Sequence, residues 1–165
     1  METFNLKEVE TISHQYCSEV PMNGCDKEKI KQYYLKTYQL HEALFELISD
    51  PEAFYLRAES LRHPLIFYYG HTAAFYMNKL TDRGIITERI NPRLEAVLAV
   101  GVDEMKWDDL NEAHYDWPSV DEVKEFRRQV NDKVLEAIDK VDEEISWTSD
   151  MWVIMMTIEH ERVHL

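Results

Sequence analysis

The chain is poor in glycine, cysteine and long apolar runs, and each shortage narrows what it can be. Only Gly24, Gly70, Gly84 and Gly101 occur among 165 residues. A turn-rich β fold draws on glycine wherever a tight turn takes a positive φ, so this supply favours helices joined by few connections. Cys17 and Cys25 are the only cysteines. They form no C-x-x-C pair and are too few to staple a small disulfide scaffold. The longest apolar stretches, such as Met151–Met156, fall far short of the roughly 20 residues of a membrane span, and no secretory leader pattern opens the chain. Together these absences predict a reduced, cytoplasmic protein with no membrane partner.

Basic charge is scarce as well. Eighteen Lys and Arg stand against 32 Asp and Glu, a net charge of −14. Residues 1–80 carry 8 basic and 11 acidic side chains, residues 81–165 carry 10 and 21. A surface of this sign repels phosphate backbones and excludes nucleic acid as a partner. What remains is ordinary for a folded domain, with 45% hydrophobic and 30% charged residues. One domain of this length buries about 70% of its unfolded surface.

The pattern along the chain is helical. Residues 1–25 mix Pro21 and Gly24 with polar side chains and read as a loosely ordered arm. Asp26 is placed to cap a first helix reaching about Ser49, with an apolar stripe of Ile30, Tyr34, Tyr38, His41, Phe45 and Ile48. Pro51 can open a short helix through Leu61. A second long helix follows Pro64 and ends before Gly84. It is apolar on nearly every face, so it is expected to be buried, and Gly70 within it marks a close approach by a neighbour beside His71. Pro92 starts a short helix through Val100. Gly101–Pro118, with six acidic residues and Trp107, Tyr115 and Trp117, reads as a long ordered connection. Ser119 and Glu122 form a capping box for a helix with the stripe Val123, Phe126, Val130, Val134, Ile138, Val141 and Ile145. A last helix begins near Thr148 or Ser149 and carries Val153, Met156, His160 and His164 on one stripe. Four long helices with one long crossover predict an all-α four-helix bundle over residues 26–165, a fold that builds metal sites from facing helices.

The chain closes on His160-Glu161-Arg162-Val163-His164-Leu165. Two imidazoles at i and i+4 share a helix face with Cβ atoms about 6 Å apart, close enough to bind one transition metal. A third ligand must come from elsewhere. His41 and His71 lie on apolar helix faces, and His63 sits at the start of the second long helix; spacing does not choose between His41 and His71. His14 and His114 fall in irregular polar segments. The letters H-E-x-x-H also spell a zinc-peptidase motif with Glu161 as general base. The third ligand of that class lies downstream, however, and an all-α fold offers no strand edge to align a peptide.

Three segments resemble one family. Arg62-His63-Pro64-Leu65-Ile66-Phe67-Tyr68-Tyr69-Gly70-His71-Thr72-Ala73-Ala74-Phe75 resembles the first metal-ligand helix of the nonheme-iron sulfoxide synthases. Gly101–Leu110 and Tyr115-Asp116-Trp117-Pro118 look like the family's central connection. Glu159–Leu165 resembles its H-x-x-x-H-x-E motif. Val163 stands where the ergothioneine branch commonly has Gln, which favours the 5-histidylcysteine sulfoxide synthases of ovothiol biosynthesis.

The resemblance implies a DinB-like four-helix domain holding Fe(II) on His71, His160 and His164. It implies a reaction that joins cysteine sulfur to the imidazole of histidine with O2 as oxidant. On this reading Glu161 is a surface carboxylate or one that supports a ligand. The family motif continues to a Glu just past Leu165, and the family carries a C-terminal catalytic domain and often a methyltransferase domain. The chain is therefore expected to be a fragment cut inside its last helix, inactive alone, with no catalytic residue of its own and a tendency to form a homodimer through surface its partner domain would cover. The alternative within the same fold is a self-sufficient Zn(II)- or Ni(II)-dependent thiol transferase. A third possibility is a metal-free helical interaction domain.

Overall fold

The computed structural model describes residues 27–100, 115–142 and 144–165. The N-terminal arm, the Asp26 cap and most of the central connection, including Trp107, lie outside the described residues, as do His14 and His114. Among the described residues the chain is all helix, with no strand. Five α-helices follow one another: α1 (Lys27–Glu46), α2 (Leu65–Asp82), α3 (Pro92–Val97), α4 (Val120–Lys140) and α5 (Asp150–Val163), with a 3-10 segment at Pro51–Tyr55. No described helix is long and apolar enough to cross a membrane. The chain divides into two compact units, residues 50–133 and residues 1–49 with 134–165.

The unit formed by residues 50–133 is built on α2. Ile66, Phe67 and Tyr69–Met77 are all buried, which matches a helix apolar on nearly every face. Gly84 ends it at φ 78°, a conformation glycine adopts without a Cβ penalty, and Ile85 N–H caps the Leu80 carbonyl at 2.9 Å. The Pro51 segment is a short 3-10 turn rather than a helix to Leu61. A single turn capped by Asp50 satisfies its backbone, and beyond it Arg57 bonds the carbonyls of Ser60 and Arg62 instead of a helical ladder forming.

Helix α3 packs on α2. Asn91 caps its start through Leu94 N–H, and the buried Glu95 reaches back to Ile90 N–H at 2.9 Å and Asn91 N–H at 3.0 Å. The Ser119–Glu122 box forms as the spacing predicts, with Glu122 N–H on Ser119 Oγ at 3.2 Å and Ser119 N–H on Glu122 Oε2 at 2.9 Å. Inside this unit Arg127 of α4 is 1% exposed. It donates to the Tyr69 carbonyl at 3.0 Å and to Thr72 Oγ1 at 2.7 Å, and its guanidinium lies over the Tyr69 ring. A charged side chain tolerates such burial only when its N–H groups are met in this way.

In the other unit α1 packs on α5. The buried face of α1 is Ile30, Tyr33, Tyr34, Thr37, Leu40, His41 and Ala43. The expected stripe therefore turns toward Tyr33, Thr37 and Leu40, leaving Tyr38, Phe45 and Ile48 half-buried. The physical reason is the Tyr33 hydroxyl, which donates to Glu159 of α5, while Thr37 Oγ1 donates back to the Tyr33 carbonyl at 2.9 Å. Lys31 pairs with Asp139 at 2.9 Å and Lys27 with Asp142 at 3.3 Å. Ser149 caps α5 through Trp152 N–H at 3.1 Å, one of the two starts the sequence allowed. The buried stripe of α5 is Met151, Ile154, Ile158 and Glu161, whereas Val153, Met156, His160 and His164 flank it half-buried.

Candidate metal centre

His71 is set by helix α2 and by the turn that ends α3. Its ring stacks on Phe67, one turn earlier, with centroids 5.0 Å apart and planes 18° from parallel. It is fully buried. Its Nδ1 lies 2.8 Å from the carbonyl oxygen of Leu98. A carbonyl only accepts, so Nδ1 carries the proton and donates, and the lone pair resides on Nε2. A histidine with one ring N–H committed to a carbonyl and the other nitrogen basic is the arrangement of a metal ligand with its supporting hydrogen bond.

His160 and His164 occupy the last turn of α5. Tyr33 fixes that turn from α1: its hydroxyl holds Glu159, and Arg162 lies over its ring at 4.6 Å. With both neighbours of the turn anchored, the two imidazoles face each other, ring centroids 4.7 Å apart and Nε2 atoms 3.3 Å apart. Two nitrogens each about 2.1 Å from one ion, at angles from octahedral to tetrahedral, are about 3.0–3.4 Å apart. The pair already has that separation. Burial pushes the His164 imidazole below its ordinary pKa, against a smaller opposite pull from the Glu161 carboxylate. The neutral imidazole is the form that binds metal.

His71 belongs to the unit of residues 50–133, and His160 and His164 belong to the other. Three imidazoles bind Zn, Ni, Cu or Fe, and the donor set alone does not name the metal.

The other candidates go elsewhere. His41 is buried and stacks on Phe45 at 4.9 Å. His63 donates Nε2–H to the Val100 carbonyl at 3.2 Å and sits among Phe67, Tyr115 and Trp117. Burial pushes its pKa down, the Val100 carbonyl partly offsets this, and Arg57 adds to the depression. Tyr115 and Trp117 thus do pin the end of the central connection. Glu161 is 1% exposed, in line with Ile154 and Ile158. It is not a surface carboxylate.

Sequence reasoning missed Leu98 as the partner of His71. Its only trace was Gly70, which marked a close neighbour without naming it. It also missed Arg127, although an arginine one turn after Val123, at the edge of an apolar stripe, signals a buried charge. No protein-family model matches the chain, and no curated protein matches it.

Proposed function

We propose that this chain is a DinB-like four-helix domain that holds Fe(II) on His71, His160 and His164 for an O2-dependent sulfoxide synthase of the ovothiol type. One observation carries the reading. His160 and His164 present nitrogens 3.3 Å apart from one helical turn, and the buried His71 already has its Nδ1 proton engaged by Leu98. Zn(II), Ni(II) and Fe(II) all suit such a set; the resemblance over Arg62–Phe75, Tyr115–Pro118 and Glu159–Leu165 is what favours iron.

Bound Fe(II) would supply open positions for a cysteine thiolate and O2. The chain's own residues hold and orient it. His160 and His164 give two nitrogens at ligand spacing from one helical turn. Phe67 keeps the His71 ring in plane and water away from its face. The remaining catalytic groups and most of the cysteine and histidine pocket belong, on this reading, to a second domain of a larger enzyme.

Anaerobic Fe(II) titration of the chain and of its His71→Ala, His160→Ala and His164→Ala variants tests the site. Each variant should bind iron at least 10-fold more weakly; equal binding by all four removes the assignment. The substrate class is tested with the chain joined to its partner domain, by O2 uptake with cysteine and histidine. Thiol transfer on Zn(II) or Ni(II) without O2 uptake would replace this reading with a metal-dependent thiol transferase.

A further inference from the structure

His63, just before α2, and His71, within it, donate to two carbonyls of one short segment, Val100 and Leu98. These carbonyls follow α3, where the last backbone acceptors of a helix have no partner within the helix. Leu98 is used twice. Its carbonyl accepts from His71, and its side chain, fully buried, rests where Gly70 lacks a Cβ. A Cβ built on Gly70 would lie 2.5 Å from Leu98 Cδ1, 3.0 Å from Cδ2 and 3.2 Å from Cγ. The whole isobutyl group is in the way, so rotating one methyl does not relieve the clash. A side chain with no exposed surface has no solvent to turn into, and the strain passes to its backbone, which holds the His71 bond.

We propose that the Leu98–Val100 turn is the positioning element for the metal centre, with Gly70 and Leu98 the positioning residues that set the tautomer of His71. This inference rests on His71 being a ligand, as proposed above, for its consequence on metal binding, but not for the tautomer itself. Seated on Gly70, Leu98 places its carbonyl to fix the proton on Nδ1 and leave Nε2 basic. The His63–Val100 bond clasps the other end of the same turn. Displacing Leu98 frees the proton to move between the two nitrogens, and the molecules with the proton on Nε2 must give it up before binding metal.

The experiment uses the metal-free chain labelled with 15N-histidine and long-range proton–nitrogen correlation, which distinguishes the two imidazole tautomers. The His71 signals are assigned by their loss in His71→Ala. The parent chain should show a single Nδ1–H tautomer. Gly70→Ala and Leu98→Ala should each give a mixture and weaken Fe(II) binding about 10- to 100-fold, with helicity unchanged by circular dichroism. The double variant Gly70→Ala with Leu98→Ala, in which the new methyl occupies the vacated space, should regain the single tautomer and most of the affinity. A single Nδ1–H tautomer in Gly70→Ala, or a double variant that stays mixed, overturns the proposal. Should Gly70→Ala fail to fold, Leu98→Ala and the double variant decide it by the same readout. If His71→Ala binds Fe(II) like the parent, the ligand assignment falls, while the tautomer series still decides the positioning role.

Discussion

Replacing Glu95 by alanine should cost about 3 kcal/mol. Its side chain has no exposed surface, and Oε1 accepts from Ile90 N–H and Asn91 N–H at 2.9 and 3.0 Å. Losing the acceptor costs about 1 kcal/mol for each stranded N–H, and the buried methylenes lost from the side chain add about 1 kcal/mol. Arg89 donates to Oε2, but its own side chain is 39% exposed and re-solvates when the partner goes, so the ion pair adds no more than about 0.5 kcal/mol. For a chain of this size 3 kcal/mol lowers Tm by about 6–12 °C. Glu95→Gln keeps one oxygen for the two N–H groups and should lose less than half as much. Calorimetry and urea unfolding measure both variants, and the urea midpoint should fall without a change in slope. A loss below about 1 kcal/mol for the alanine variant, or a glutamine variant as damaged as alanine, would refute the idea that backbone satisfaction is what Glu95 supplies. Because α3 leads into the Leu98 carbonyl that holds His71, Glu95→Ala should also weaken Fe(II) binding.

Fe(II) at about 100 times its Kd should stabilise the chain by about 2.7 kcal/mol, a Tm rise of about 5–11 °C, reversed by a chelator and absent in His71→Ala under anaerobic scanning. Arg127→Met should destabilise by about 3 kcal/mol, since it removes the charged donor to the Tyr69 carbonyl and Thr72 Oγ1 in a buried site. A change under 1 kcal/mol by urea unfolding would show that those acceptors find other donors. Bonds from Ser119, first from its backbone and then from its side chain, hold the Glu122 carboxyl below its ordinary pKa, with Arg93 adding a smaller pull. A depressed folded-state pKa gives stability that is complete above the unfolded value and lost as pH falls through the folded one. The Tm gap between the parent chain and Glu122→Ala should therefore hold at neutral pH and close below about pH 4.3. A gap independent of pH would mean the cap acts through shape alone.

Local signals read well where one segment decides its own fate. The Ser119–Glu122 box and the stripe Val123, Phe126, Val130, Val134 and Ile138 appear as predicted, because a cap and a 3.6-residue period need only the chain nearby. Pro64 and Gly84 bracket α2 within a residue or two. Reading went astray where a partner decides. The buried face of α1 follows Tyr33, which answers to Glu159. On α5 the spacing put the histidines on the buried stripe, but Glu161 is the polar residue that goes inward.

The sequence by itself determined helices, their approximate ends, the acidic surface and an i, i+4 pair of imidazoles, since all of these depend on composition and on contacts within a few turns. It also marked Gly70 as a place of close approach. Only tertiary structure gave His71 its carbonyl partner, because His41 and His71 both sit on apolar faces at helical spacing and that partner comes from the end of another helix. That partner is Leu98, whose carbonyl sets which nitrogen of His71 carries the proton. A periodicity states which face of a helix is buried; it carries no information about what that face will meet.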